Sequence, residues 1–173
     1  MKIQLYFSSL LFSAALALES SEGPYSLKFD ALEQCVDAGT DEFHLNVTYD
    51  EEKGTYSGIF SKNKALDDDT EIAIHIERLV DNEWKEDISG NVGGACSLIR
   101  IFPSSVQSML DAINFSECPI PEGTSVVKNM KNDFQFPFMT TAKYGKRRGE
   151  MTFLDKKGKR LGCVYMKANV VPA

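Results

Sequence analysis

Short segments in which apolar and polar residues alternate recur along this chain, and they restrict its fold more than any other feature. The run EIAIHIERL sets Ile72, Ile74 and Ile76 on one face and His75 on the other. YSLKF and FHLNVTY alternate in the same way, and TYSGIFS follows the second after a polar turn. A period of two is typical of a strand with one buried face. We therefore interpret His75 as an exposed strand residue rather than a metal ligand.

The rest of the chain adds further strands and one helical pattern. A hairpin partner containing Trp84 follows the isoleucine strand, and near the C-terminus GEMTFLD and RLGCVYMKANVV flank a turn in which Gly158 supplies the left-handed residue. DFQFPFMT places Phe134, Phe136 and Phe138 on one face of an extended segment. PSSVQSMLDAINF has the apolar spacing of one short helix. Seven or eight strands separated by turns predict an all-β antiparallel sandwich or barrel.

The N-terminal residues predict export from the cell. MKIQLYFSSLLFSAALA combines a lysine, an apolar run and small residues at Ala15 and Ala17, which is typical of a secretory signal peptide over residues 1–17. Residues 18–173 then form one domain of about 155 residues, enough for a sizeable core. No second apolar run of about 18 residues follows, so we expect a soluble secreted protein. Delivery to the lysosome is an alternative destination that the residues do not distinguish.

The cysteines agree with an oxidising compartment. Four remain after the signal peptide: Cys35, Cys96, Cys118 and Cys163. An even number predicts two disulfides, for which three connectivities are possible. None lies in a Cys-x-x-Cys pair and the chain has only two histidines, so we expect no metal site. Two glycosylation sequons, at Asn46 and Asn114, fit the same secretory route.

Charge is distributed unevenly along the chain. Residues 19–118 contain 21 acidic and 7 basic residues, a net charge of −14, whereas residues 119–173 contain 4 and 11, a net charge of +7. The basic residues cluster at Lys143, Lys146, Arg147, Arg148 and from Lys156 to Arg160. This cluster either attracts anionic lipid headgroups and a membrane surface, or is a solvated hairpin edge that blocks aggregation between sheets. The uneven charge has its own alternative, a mixed surface formed because the strands bring both halves together. Its basic runs lack interleaved aromatic residues, so we do not expect a nucleic-acid partner.

No catalytic motif is present in the sequence. It contains no G-x-S-x-G, P-loop, H-E-x-x-H or dinucleotide fingerprint. The acidic run Asp67–Asp69 lacks the spacing of a calcium-binding EF-hand loop, and we interpret it as a solvated turn. Few residues are left to pair a nucleophile with a base. We predict that the protein is not an enzyme and needs no cofactor.

Four separated segments carry a resemblance to a known family. In chain order they are SLKFDALEQC, NEWKEDISGNVGGACSL, ECPIPEGT and KGKRLGCVYMKA. They resemble the opening strand, the tryptophan loop, the Cys-Pro corner and the last strand of the ganglioside activators, which belong to the ML-type lipid-recognition family. Mammalian-type activators have twice as many cysteines as this chain. In its lower number the chain is similar to the insect relatives known as the chemosensory B group.

The resemblance implies a fold, a disulfide pairing and a function. The fold is an immunoglobulin-like β-sandwich shaped as a cup, whose sheets stand apart so that lipid acyl chains fill part of the core. The implied disulfide joins Cys35 to Cys163, and with it goes one between Cys96 and Cys118. The implied function is that of a secreted lipid-binding or lipid-presenting protein for acyl-chain or glycolipid ligands. The resemblance further implies transient contact with membranes and activation of an enzyme, with a glycosidase or a receptor as protein partner.

The residues that we expect at such a lipid cavity come from the strand patterns. The expected wall consists of apolar side chains, for each of which plain core packing is the alternative: Ile72, Ile74, Ile76, Phe134, Phe136, Phe138, Phe153 and Val164. Trp84 and Phe60 are predicted to lie in turns at the cavity mouth and to contact a membrane interface, where amphipathic aromatic residues are favoured. Burial in the core is the alternative for Trp84.

A second function is open at this point. The chain could be an extracellular chemosensory or immune module whose main partner is a protein and which has no lipid cavity. A closed core with a flat apolar patch would favour that reading, whereas a cavity lined by apolar side chains would favour a lipid carrier.

Overall fold

The computed structural model describes residues 22–37, 39–40, 42–101, 103–132 and 141–173. The predicted signal peptide at residues 1–17 lies outside the described residues, and so do Phe134, Phe136 and Phe138. None of the helices in the described part of the chain has both the length and the apolar character to cross a membrane.

Strands make up most of the described chain. The elements are β1 (Tyr25–Gln34), β2 (Phe43–Asp50), β3 (Thr55–Lys62), β4 (Thr70–Val80), β5 (Glu83–Gly94), α1 (Ala95–Ile101), α2 (Pro103–Ala112), β6 (Gly123–Lys131), β7 (Gly145–Asp155) and β8 (Arg160–Pro172). The all-β prediction is confirmed, and the predicted helix is present as α2. The apolar spacing did not predict α1, because a helix of 7 residues is too short to display a period of 3.6.

The strands form one open sheet with the order β5-β4-β7-β8-β2-β3-β6, and β1 pairs with β8 beside this path. Two groups of antiparallel strands can be distinguished within it. The five-strand group is β5-β4-β7-β8-β1, and the three-strand group is β2-β3-β6. A single parallel pair, Phe43 with Gly162, links the two groups. The strand ladder is therefore continuous, but it is only one residue pair long at this position.

A glycine allows the two strand groups to meet, and a disulfide within the five-strand group lies beside their junction. A Cβ atom on Gly162 would lie only 2.9 Å from the Cβ of Phe43, so β8 approaches β2 closely only because residue 162 has no side chain. One residue further along β8, Cys163 forms a disulfide with Cys35 at the end of β1. The second disulfide joins Cys96 in α1 to Cys118. These are the two pairs that the family resemblance implied.

Two hairpins have the turn residues that their geometry needs. Asp81 and Asn82 connect β4 to β5 with φ angles of 52° and 65°, and Asn and Asp tolerate this left-handed region better than most residues. Gly158 lies between β7 and β8 with φ 77°, as the sequence predicts. The carboxylate of Asp155 accepts hydrogen bonds from the backbone N–H groups of Lys157 and Lys159, both at 2.8 Å. This turn therefore sets the register in which β7 and β8 pair.

Candidate functional site

An apolar pocket of about 220 Å³ lies among the helices and both strand groups. Its walls contain side chains from every strand and from both helices, chiefly Leu45, Phe60, Ile72, Ile74, Leu98, Ile99, Met109, Leu110, Ile113, Val127, Met130, Met151, Phe153, Val164 and Met166. Lys131 is the one polar residue among the described residues that line it. A cavity with so few polar groups has affinity for hydrocarbon and little to hold a polar ligand inside it.

The five-strand group supplies one wall because alternate residues of three neighbouring strands face the same side. Ile72 lies directly opposite Phe153, and Ile74 lies opposite Met151. Met151 in turn lies opposite Val164 of β8. Cross-strand pairs of this kind bring side chains within contact distance, so the wall is continuous across β4, β7 and β8.

The helices supply a second wall. The helical spacing of α2 and the turn after it places Met109, Leu110 and Ile113 along one face, and all three line the pocket. Leu110 is buried, whereas Met109 keeps 37% of its surface exposed. Because Met109 borders both the pocket and the solvent, the pocket comes close to the surface at α2.

Three phenylalanine rings pack together at the junction of the strand groups. The centroid of the Phe43 ring lies 5.0 Å from that of Phe153 and 6.4 Å from that of Phe60. Phe60 and Phe153 also line the pocket. Offset aromatic pairs at these distances contribute about 0.5–1.5 kcal/mol each beyond the area they bury, so they stabilise this end of the pocket.

The predicted cavity wall is partly found at the pocket. Ile72, Ile74, Phe153 and Val164 line it. Ile76 is buried on the same face of β4 but is absent from the pocket lining. The alternation of apolar and polar residues correctly predicted which face of β4 is buried. It could not predict how far along the strand the pocket extends.

The two residues predicted to contact a membrane lie elsewhere than expected. Phe60 is not in a turn but within β3, paired with Leu45 and Ser125, and its ring forms part of the pocket wall. Trp84 lies near the β4–β5 turn, opposite Leu79, and therefore on the sheet face turned away from Ile72 and Ile74. The guanidinium of Arg148 lies 4.5 Å from the centroid of the Trp84 ring. Neither residue occupies a turn at the pocket mouth.

Much of the predicted basic cluster is paired with carboxylates. The pairs are Arg147–Asp87 at 2.7 Å, Arg148–Glu77 at 2.7 Å, Lys156–Asp69 at 2.6 Å and Arg160–Glu150 at 3.5 Å. The first three form because β7 and the β7–β8 turn lie near acidic residues of β4, of the adjoining β5 and of the segment before β4. The fourth joins the neighbouring strands β7 and β8. These four cations therefore lie in a region where basic and acidic residues from both halves of the chain are mixed.

A second cation site was not predicted from the sequence. Lys62, the last residue of β3, is only 3% exposed, and its Nζ donates a hydrogen bond of 2.7 Å to Oγ of Ser125. The Nζ also lies 5.0 Å from the centroid of the Phe60 ring and 5.9 Å from that of Phe115. Burial lowers the pKa of Lys62. The alternation Tyr56, Phe60, Lys62 already indicates that this lysine faces inward.

A polar groove of about 550 Å³ opens beside Lys62. Lys62, the end of α2 with the loop after it, and the first residues of β6 line this groove. Ile113 lines both the groove and the apolar pocket, so the two cavities adjoin there. The groove also contains Asn114, which is exposed, as is Asn46 on β2, the other predicted glycosylation site.

One cluster of potential metal ligands occurs in the described part of the chain. It consists of Cys35, Glu150 and Cys163, whose ligand atoms lie within 4.8 Å of one another. Both sulfur atoms are bonded to each other as a disulfide. The cluster therefore offers a metal ion only the carboxylate of Glu150, which is too little for a site.

Comparison with known proteins assigns no family. No protein-family model matches the chain, and no curated protein sequence matches it.

Proposed function

We propose that this protein is a secreted lipid-binding or lipid-presenting protein whose ligand inserts an acyl chain into the apolar pocket. The observation that carries the proposal is the composition of the pocket, in which Lys131 is the one polar residue among the described residues of the wall. Each methylene that leaves water for such a wall contributes about 0.8 kcal/mol. Binding of this kind needs no catalytic residue.

The size of the pocket suggests which lipids fit. At about 220 Å³ it is smaller than the range of about 300–1,000 Å³ that is common for small-molecule sites. We therefore propose a single acyl chain as the occupant, rather than the several chains of a large glycolipid. The resemblance to the ganglioside activators supports a ligand with an acyl chain, without fixing the number of chains.

The arrangement of the strand groups supports a cup-shaped sandwich around the ligand. Side chains of both groups line one pocket, while among the described residues strand pairing joins the groups at Phe43–Gly162 alone. We propose that the groups act as the two layers of an immunoglobulin-like sandwich, with the acyl chain completing the core between them.

Destination and partners follow from the same proposal. The two disulfides fit an oxidising compartment, as expected for a secreted or lysosomal protein. On the surface of the helices, Ile101 of α1 is 64% exposed, and Met109 of α2, which lines the pocket, is 37% exposed. We propose this surface, in place of Trp84 and Phe60, as the site of transient membrane contact during lipid uptake. A glycosidase or a receptor would then receive the lipid.

The alternative of a protein-interaction module has one observation in its favour. Ile59 of β3 lies opposite Val126 of β6, and both are exposed on the outer side of the three-strand group. Two side chains are a small patch beside the roughly 800 Å² per partner of a stable interface. The apolar pocket therefore favours the lipid-binding function.

Native mass spectrometry tests the proposal directly. The glycosylated protein, purified from a secreting host, is expected to carry stoichiometric lipid that organic solvent removes. After extraction it is expected to bind a fluorescent fatty acid. A protein that is free of lipid and also fails to bind the fluorescent fatty acid would contradict the proposal.

A pair of variants on α2 locates the binding site. Met109→Trp fills the pocket from its exposed side, and we expect it to weaken fatty-acid binding at least tenfold, as loss of a few buried methylenes would. Gln107→Trp is the matched control, since Gln107 is exposed on the same helix and lines neither cavity. Equal affinity in both variants would mean that the chain binds elsewhere.

A further inference from the structure

Lys62 is a buried cation whose hydrogen-bonding capacity is only partly used. An ammonium group has three N–H donors, and the described residues supply one oxygen acceptor, Oγ of Ser125, besides the faces of two aromatic rings. Two acidic residues, Asp111 and Glu122, line the groove next to it, yet neither forms an ion pair with Lys62 among the described contacts. A buried charge without a counter-ion is unfavourable. Its position therefore needs a reason other than stability.

Ser125 adds a second donor at the same point. Its Oγ accepts the hydrogen bond from Lys62, so its own hydroxyl proton can be donated to another group. Ser125 is itself buried and lines the groove. An anion that entered the groove would thus meet an ammonium and a hydroxyl donor together, out of bulk water, where such hydrogen bonds are strong.

The anion site adjoins the apolar pocket. Phe60, which the Lys62 ammonium contacts, lines the pocket, and Ile113 lines both cavities. A carboxylate held at Lys62 would leave the first methylenes of its chain against these two side chains. The remainder of the chain can then continue into the pocket.

We propose that Lys62 and Ser125 bind the carboxylate of a single-chain fatty acid whose tail occupies the apolar pocket. This inference rests on the proposed lipid-binding function and names its ligand class. It differs from the headgroup role predicted for the C-terminal basic cluster, because Arg147, Arg148 and Arg160 are already paired with carboxylates. The ligand's headgroup is thereby recognised on β3 and β6 rather than on β7.

The test compares two ligands that share a chain and differ in charge. Dodecanoate and dodecan-1-ol each compete at pH 8 with the uncharged fluorophore N-phenyl-1-naphthylamine, bound to the delipidated glycosylated protein. We expect dodecanoate to bind about tenfold or more tightly than the alcohol, the usual advantage of a charged hydrogen bond. Sodium acetate is the third arm, and we expect it not to displace the fluorophore, because an anion without a chain does not fill the pocket.

Two lysine variants test whether Lys62 causes the preference for dodecanoate over dodecan-1-ol. Lys62→Met keeps the length of the side chain and removes the charge, and we expect it to bind both dodecyl ligands with similar affinity. Lys128→Met changes an exposed lysine of the same groove and is expected to retain the preference for dodecanoate. The comparison of the two ligands on the unaltered protein stands even if Lys62→Met fails to fold.

Each contrary outcome has a distinct meaning. Equal affinity of the unaltered protein for dodecanoate and dodecan-1-ol, or a preference that persists in Lys62→Met, overturns the carboxylate site and leaves lipid binding in place. Displacement by neither dodecyl ligand overturns the proposed function together with the site.

Discussion

The described residues contain two buried cations, of which one is paired with a carboxylate and the other has no acidic partner. Arg147 of β7 is 5% exposed, and its Nε donates a hydrogen bond of 2.7 Å to a carboxylate oxygen of Asp87. Its Nη1 donates to the backbone carbonyl of Gly145. Lys62 of β3 is buried to a similar degree but contacts a hydroxyl and two aromatic rings. The first cation has its counter-ion within the fold, whereas the second depends on neutral groups.

This difference separates a structural cation from a candidate binding residue. Arg147 pairs with Ala168 and Arg78 of the neighbouring strands, away from the pocket residues Ile72 and Phe153. Lys62 lies where the groove and the pocket adjoin. A cation that is satisfied internally stabilises the sheet through its partner, while one left without an acid is open to an anionic ligand.

The largest effect is expected where the paired cation loses its acid. Asp87→Ala removes the partner of Arg147 and leaves a buried guanidinium uncompensated, which typically lowers the free energy of unfolding by about 3–5 kcal/mol. We expect the lower end, about 3 kcal/mol, because the Asp87 side chain is partly solvated. Urea unfolding at pH 7, followed by circular dichroism, measures the change.

A double variant is the control for this prediction. Adding Arg147→Met to Asp87→Ala removes the uncompensated charge, and we expect it to restore most of the lost stability. A double variant as unstable as Asp87→Ala alone would show that Asp87 acts through its other contact, the guanidinium of Arg78 at 3.7 Å.

Removing the unpaired cation, Lys62, is expected to raise the free energy of unfolding rather than lower it. Lys62→Met replaces a buried charge without an acidic partner by an apolar side chain of similar length, and we expect the ligand-free protein to gain about 1 kcal/mol. Lys128→Met, at an exposed position, should change the free energy of unfolding by no more than about 0.5 kcal/mol. A loss of more than about 2 kcal/mol in Lys62→Met would show that Lys62 is structural, as Arg147 is.

The sequence predicted the positions of the strands better than it predicted which residues from other strands their side chains contact. Alternation identified the strand that carries Ile72, Ile74 and Ile76, and Gly158 was correctly placed in a left-handed turn. Both features depend on residues close together in the chain. Local patterns of this kind can be recognised in a sequence before its fold is known.

The positions of Phe60 and Trp84 could not be read in the same way. Phe60 is part of the pocket wall because β2 and β6 lie on either side of β3, and Trp84 faces outward because of the register between β4 and β5. The partners of Arg147 and Arg148 likewise come from β4 and β5, at least 60 residues away. Sheet order and register are set by long-range contacts, which a single sequence does not display.

A smaller effect is expected for the partly exposed ion pair between Glu77 of β4 and Arg148 of β7. Glu77 and Arg148 are joined at 2.7 Å, but both side chains retain solvent contact. We expect Glu77→Gln to lower the free energy of unfolding by about 0.5 kcal/mol, the usual range for exposed pairs. A loss as large as that in Asp87→Ala would mean that pairing, rather than burial, decides how much each cation contributes.

The smallest effect is the pH dependence of stability that the buried ammonium of Lys62 produces. Burial lowers the pKa of the Lys62 ammonium below its ordinary value of 10.5. As the pH rises toward 10.5, the folded protein loses this proton before the unfolded chain does, so its free energy of unfolding increases. The Lys62→Met variant lacks this increase of the free energy of unfolding with pH. We therefore expect the advantage of the variant to be full near neutral pH and to narrow as the pH approaches 10.

Tyr56, which lies on the same strand, has the opposite dependence and must be removed from the comparison. Burial, with smaller contributions from Tyr49 and Asp30, raises the pKa of Tyr56 from 10.0 to about 12. Its contribution to stability is therefore complete below pH 10 and is lost as the pH rises through about 12. Tyr56→Phe is therefore introduced into both proteins. Both then lack the titration of Tyr56 and its hydrogen bond to the carbonyl of Phe29, so neither affects the difference in stability between them. If urea midpoints of Tyr56→Phe and Tyr56→Phe/Lys62→Met between pH 7 and 10 then follow parallel curves, the Lys62 ammonium is not desolvated in solution, and the contrast with Arg147 does not hold.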